Sequence, residues 1–248
     1  MPRYLAILET GVPPLGLDET YGDYPQMFCE SLGLKPESVR VFKTMDGDLP
    51  IMDEELSGVL ITGSPAGVYE DIPWISMLID WLQKLDTHIP VLGICFGHQV
   101  MAQAYGGHVE KSDKGWGVGL HDYHVYEPDL WQALSIKPAP EVIKVAATHQ
   151  DQVVKCPPQS KVIAGSDFTP IGGLYYTHRQ ALSFQCHPEF NTDYAKALLI
   201  SRRGTRIGAE LVDQAVISLD QASSRHMVLE LMAQFLARPV TATSQQVA

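Results

Sequence analysis

The sequence is poor in cysteine: its 248 residues hold four, Cys29, Cys95, Cys156 and Cys186, with no Cys-x-x-Cys pair. A chain this long buries enough apolar surface to fold without disulfides or a structural metal. The four thiols therefore read as reduced side chains of a cytoplasmic protein, each to be judged by its own neighbourhood. Basic charge is scarce as well, with 18 Lys plus Arg against 29 Asp plus Glu, a formal net charge of −11. That balance excludes a surface that tracks nucleic-acid phosphates. No window approaches the roughly 18 apolar residues of a membrane span. The opening Met1–Thr10 lacks the apolar core and cleavage site of a signal peptide. No nucleic-acid partner and no membrane partner are expected. Metal-ligand spacing is missing too: His121 and His124 would fall on opposite faces of a strand. The acidic stretch from Asp46 to Glu55 fits no calcium loop and reads as a solvated connection.

What is present is an ordinary globular composition, 45% hydrophobic and 19% charged. Short apolar runs alternate with helical patterns through the first hundred residues. Strands are predicted at 3–8, 38–42, 58–62 and 90–94, and helices at 25–32, from Pro73 onward and at 97–105. Such alternation implies a parallel sheet flanked by helices. Strands then crowd at 117–126, 141–147, 161–165, 172–177 and 181–186, several too close together for intervening helices. The expected fold is α/β, a mostly parallel, flavodoxin-like central sheet flanked by helices and extended by antiparallel strands. Two helices follow, near 192–202 and 223–237, the second with an apolar stripe of Val228, Leu231, Met232 and Phe235. Residues 1–240 are read as one domain, and the polar stretch 241–248 as a disordered tail.

Chemistry concentrates at Gly93-Ile94-Cys95-Phe96-Gly97-His98-Gln99. A buried strand ends at Cys95 and a helix begins at once, with glycine two residues to either side. This is a nucleophile-elbow pattern, in which a sharp turn lifts the side chain above the sheet edge at a helix N-terminus. There the helix dipole favours the thiolate. A buried structural cysteine on a glycine-rich turn would fit this segment equally well. The second segment, Gln185-Cys186-His187-Pro188-Glu189, decides between them. In extended chain His187 and Glu189 share a face, so Glu189 can orient an imidazole toward a thiol. Pro188 cannot donate to a ladder, which puts the pair at a strand end. Cys186 should point away into the core. Attack on a carbonyl also needs oxyanion donors. The N–H of Phe96 follows the nucleophile, and the N–H of Ser64 lies in the turn Gly63-Ser64-Pro65.

The contexts Gly-Ile-Cys95-Phe-Gly-His-Gln and His187-Pro-Glu189 together resemble the signature of class I glutamine amidotransferases, in the flavour of the amidotransferase domain of GMP synthase and its stand-alone relatives. The resemblance implies a Cys95–His187–Glu189 triad that releases ammonia from glutamine through a γ-glutamyl thioester, with no cofactor and no metal. It also implies substrate-binding roles for Gly63 and Gln99, and for His149 and Asp151 in a Thr-His-Gln-Asp stretch like the family's Ser-His-x-Asp. His98 would stand beside the pocket without moving a proton. Gly63-Ser64-Pro65 departs from the Gly-Gly-Pro loop of GMP synthase. The chain has neither Gly-x-x-x-x-Gly-Lys nor Ser-Gly-Gly-x-Asp-Ser for ATP, so ammonia would pass to a separate acceptor or synthetase partner. Stand-alone relatives that hydrolyse γ-glutamyl peptides offer a second reading with the same triad. A catalytically idle regulatory module is a third.

Overall fold

The structure, a computed structural model, describes residues 3–238 apart from Glu54 and Ser135. The expected tail at 241–248 lies outside the described residues. In chain order the elements are β1 (Tyr4–Glu9), α1 (Asp18–Tyr21), α2 (Tyr24–Leu32), β2 (Val39–Lys43), β3 (Leu56–Ile61), α3 (Pro73–Lys84), β4 (Val91–Ile94) and α4 (Phe96–Ala104). Then come β5 (His108–Lys111), β6 (Gly117–Val125), α5 (Pro128–Ala133), β7 (Val142–His149), β8 (Asp151–Lys155) and β9 (Ser160–Gly165). The chain continues through β10 (Gly173–Tyr176), β11 (Ala181–Phe184), α6 (Thr192–Arg202), α7 (Ala209–Ser218) and α8 (Arg225–Leu236).

Nine strands form one sheet in the order β2-β1-β3-β4-β11-β10-β9-β6-β7. The first five are mutually parallel, and β10, β9, β6 and β7 extend the sheet by antiparallel pairing. Every residue of β1, β4 and β11 is buried. Strands covered on both faces read as continuous apolar runs, which is why the sequence announces them. Successive side chains serve opposite faces: Tyr4, Ala6 and Leu8 join a core with α3 and α4, while Ile7, Leu60 and Leu92 join another with Phe28 of α2 and Trp131 of α5. The predicted stripe of α8, Val228, Leu231, Met232 and Phe235, completes that second core.

Local signals set the helix ends. Asp23 caps α2 by accepting from the Gln26 N–H at 2.7 Å, and Gly33 closes it in left-handed backbone at φ 63°. Asn191 caps α6 by accepting from the Tyr194 N–H at 2.8 Å. The two-stranded ribbon β5–β8 and helices α5 and α7 go beyond the sequence expectations. The strands of the ribbon are short and half polar, and α7 buries only Val212 and Ala215, too narrow a stripe to stand out. The chain runs from β1 to β2 on one side and returns to β3 on the other. The carboxyl ends of β1, β3, β4 and β11 therefore open onto one crevice, the usual ligand position of such sheets.

Candidate active site

Cys95 follows the last residue of β4, at φ 54° and ψ −100°, a backbone region that L-residues rarely occupy. Its N–H donates to the Phe184 carbonyl at 2.9 Å, and its own carbonyl accepts from the Gln99 N–H at 3.1 Å, so the residue ends the strand and starts α4 at once. The flanking glycines are sterically required. A Cβ on Gly97 would stand 2.5 Å from the Ile61 carbonyl oxygen, and one on Gly93 would press on the Gly97 carbonyl and the Met101 sulfur. Phe96 is the first residue of α4, where N–H groups have no partner within the helix.

His187 and Glu189 lie beyond the end of β11, and their backbone corrects the expectation of an extended strand. The chain turns here, with the Phe190 N–H donating to the His187 carbonyl at 3.3 Å. The turn still brings the side chains together: His187 Nδ1 is 2.7 Å from Glu189 Oε1, and the two residues are only 4% and 3% exposed. The Phe190 ring stacks on the imidazole at 4.1 Å and 5°, fixing its plane. Nε2 is buried and, among the described residues, without a well-formed hydrogen bond, within electrostatic reach of the Cys95 sulfur. Burial works against an imidazolium. The Glu189 carboxylate and a Cys95 thiolate outweigh it, and His187 is lifted to about 10.

Gly63 closes the third side. A Cβ there would lie 3.2 Å from His187 Cε1 and 3.8 Å from Cys95 Cβ. The loop rests on two buried threonines: the Thr10 N–H donates to Thr62 Oγ1 at 3.0 Å, and the Thr10 hydroxyl to the Thr62 carbonyl at 2.9 Å. Ser64 Oγ accepts from the Ala66 N–H at 3.2 Å. Gly63, Ser64, Cys95, Gln99, His149, Asp151 and His187 all line one cavity of about 220 Å³. Phe96 and Glu189 stand behind it as neighbours of Cys95 and His187. His98 does not enter the cavity. It is fully buried in the core, Nδ1 2.9 Å from Ser183 Oγ and Nε2 3.1 Å from the Ile171 carbonyl, and burial lowers it to about 4. Cys186 is buried as expected, and burial pushes its thiol well up.

Around the cavity, Gln99 Nε2 donates to the Asp151 carbonyl at 2.9 Å and to Gln185 Oε1 at 3.2 Å. His149 Nδ1 lies 3.1 Å from the same Asp151 carbonyl, and burial lowers it to about 3, so its ring is neutral. The Tyr69 hydroxyl donates to Asp151 Oδ1 at 3.0 Å. Sequence reasoning missed three supports. Gln185 Nε2 points at Cys95 Sγ, 3.6 Å away. Arg225 of α8 donates from Nε to the Pro188 carbonyl at 2.7 Å and from Nη2 to the Glu189 carbonyl at 3.2 Å. Ser31 of α2 donates to the same Glu189 carbonyl at 3.4 Å and accepts from Arg225 Nη2 at 3.0 Å. No local pattern marks any of them, because each contact spans a long stretch of chain. The arrangement can present a sulfur to a carbonyl, with an imidazole beside it to move a proton and backbone N–H groups to face a developing oxyanion.

The chain is similar to known proteins over most of its length. A family model described as glutamine amidotransferase class-I matches residues 21–204. Gamma-glutamyl peptidase 4 of Arabidopsis thaliana is 34% identical over 195 residues, 77% of this chain and 77% of that protein. One of the subunits of the glutamine-hydrolysing GMP synthase of Methanococcus maripaludis is 31% identical over 154 residues, 60% of this chain and 73% of that protein. A glutamine amidotransferase crystal structure from Thermotoga maritima superposes with a TM-score of 0.70 at 18% identity, covering 96% of this chain and 100% of that one. At that identity the likeness concerns the fold.

Proposed function

The chain belongs to the class-I glutamine amidotransferase family, and from that premise we propose that it hydrolyses the γ-amide of glutamine with Cys95 as nucleophile, His187 as acid and base, and Glu189 as orienter. The observation that carries the reading is the buried 2.7 Å contact between His187 Nδ1 and Glu189 Oε1 beside a cysteine held in a strained elbow. As an imidazolium, His187 favours the thiolate on its neighbour. The thiolate adds to the γ-carbonyl, and the oxyanion is met by the N–H groups of Phe96 and Ser64. His187 gives its proton to the departing nitrogen, releasing ammonia and leaving a γ-glutamyl thioester on Cys95. It then takes a proton from water, which adds to the thioester, and glutamate leaves as the thiolate re-forms. Gly63, Gln99, His149 and Asp151 bound the space for the γ-glutamyl group. With both Gln99 amide protons engaged, its Oε1 is the atom left to face substrate.

Ammonia would pass to a separate acceptor or synthetase in trans. All four cysteines are free, which supports a reducing, cytoplasmic setting. Among the described residues no helix is long and apolar enough to cross a membrane. A second reading, hydrolysis of γ-glutamyl peptides, is favoured by the broader match to gamma-glutamyl peptidase 4, 77% of this chain against 60% for the GMP synthase relative. The test is a steady-state assay of the purified chain on glutamine and on γ-glutamyl dipeptides, with Cys95→Ala as blank. Ammonia from glutamine above the blank supports the first reading, faster peptide cleavage supports the second, and activity retained by Cys95→Ala contradicts both.

A further inference from the structure

Beside His187 the cavity has a wall that ammonia release does not use. Phe190 stacks on the imidazole, Tyr24 packs against Phe190 with ring centroids 5.9 Å apart, and Leu198, Arg202 and Arg206 continue the lining. Because His187 must hand its proton to the departing nitrogen, the leaving group lies beside the imidazole on which this wall stacks. Ammonia needs neither apolar cover nor positive charge there.

Two guanidiniums stand on that wall. Arg202, half-buried, donates from Nη1 to Thr148 Oγ1 at 3.0 Å, while its buried Nε has no partner among the described residues. It lines the same cavity as Arg206 and Cys95. Arg206 sits exposed at the rim. Among the described residues neither makes an ion pair, in a chain with 29 acidic side chains. Their neighbour Arg203, which does not line the cavity, has its acid, donating to both oxygens of Asp213 at 2.7 and 2.6 Å. A guanidinium fork left open over a cavity is suited to a planar carboxylate.

We infer that Arg202 and Arg206 form a carboxylate subsite for the leaving group, so that the substrate class is γ-glutamyl compounds whose departing amine is an amino acid or peptide with a free carboxylate. This rests on the γ-glutamyl hydrolase reading of the site and selects its peptide form. The aromatic and aliphatic residues of the same wall cover the body of the leaving amine, and the γ-glutamyl group keeps the opposite side, near Gln99 and Asp151.

The test compares glutamine, a γ-glutamyl dipeptide with a free C-terminus and the same dipeptide amidated, using wild type, Arg206→Gln, Arg202→Gln and Arg202→Lys. Wild type should favour the free acid over its amide about tenfold or more in kcat/KM, mostly through KM, the order expected for losing a charged partner. Each glutamine variant should lose that preference, with a loss on the acid at least ten times its loss on glutamine, and Arg202→Lys should recover part of it. Calorimetric binding of both dipeptides to a Cys95→Ala background reads the same preference without turnover. Arg206→Gln removes no side-chain hydrogen bond among the described residues, so it tests the subsite even if Arg202→Gln unfolds. Equal loss on glutamine and on the acid, or a wild type indifferent to amidation, overturns the subsite while leaving the hydrolase standing. Failure of wild type on every substrate, with no binding, overturns the hydrolase reading and the subsite together.

Discussion

The two halves of the site are held in place by different means. Cys95 is posed by its own segment: Gly93 and Gly97 admit the turn, β4 delivers the residue to the sheet edge, and the Gln99 N–H starts α4 on its carbonyl. The His187–Glu189 turn is posed from a distance. The His187 N–H donates to the Ala146 carbonyl at 2.8 Å, and Arg225 and Ser31 hold the carbonyls of Pro188 and Glu189. Arg225 lies beyond the residues 21–204 that the family model matches. A cysteine posed on a tight turn is a local property of sequence, while a histidine–glutamate pair on a loop depends on the rest of the fold.

The largest effects should come from removing either half outright. Cys95→Ala should reduce ammonia release to the level of buffer without protein, and His187→Asn should cost about a thousandfold or more in kcat, as loss of a member of the proposed triad would. Wild-type rates for either would dissolve the distinction between the halves.

Next in size is damage to the elbow from within. Gly97→Ala drives a methyl to 2.5 Å from the Ile61 carbonyl, an overpacking that costs about 1–3 kcal/mol. The denaturant midpoint should fall and kcat with it, because α4 must shift to make room. Unchanged stability would mean the elbow tolerates a side chain there.

Arg225→Ala should have a smaller effect, felt on the histidine side alone. Charged hydrogen bonds of this kind are worth about 1.5–3 kcal/mol each before relaxation. A fall in kcat of about tenfold with KM nearly unchanged is expected, along with a shifted pH–rate profile and partial rescue by Arg225→Lys. A change in stability with an unaltered pH profile would make Arg225 a packing residue only.

The last test is in the pH dependence of stability, where the halves should differ in sign. An unfolded histidine titrates near 6.5. Folded His187 keeps its proton to about 10, so its contribution is full below about pH 6.5 and fades as pH rises toward 10. His98, which braces α4, stays neutral down to about 4, so its contribution is full above about 6.5 and fades as pH falls toward 4. Denaturant midpoints across pH should therefore flatten on the alkaline side in His187→Gln and on the acid side in His98→Asn.

This difference also explains what could be read in the sequence. The central parallel strands β1, β3, β4 and β11 were legible because both faces are buried, and the elbow because its requirement for glycine falls within seven residues, Gly93 to Gln99. His187 and Glu189 were legible as a pair, yet the reason expected for their meeting, alternation along a strand, gives way to a turn. The Arg225 clamp, the Ser31 hydroxyl, the Gln185 amide and the Thr10–Thr62 support were hidden, since each contact joins residues that only the folded sheet brings together. His98 shows the reverse: its place three residues after Cys95 suggested the pocket, but helical rotation points it into the core.

The central claim, that Cys95 is the nucleophile toward a γ-glutamyl carbonyl, is tested most directly by reacting the protein with a diazo-ketone analogue of glutamine and mapping the adduct by peptide mass spectrometry. A single adduct on Cys95, slowed in His187→Asn and absent from Cys95→Ala, is the predicted result. Labelling of Cys29, Cys156 or Cys186 instead, or equal labelling in Cys95→Ala, would contradict it.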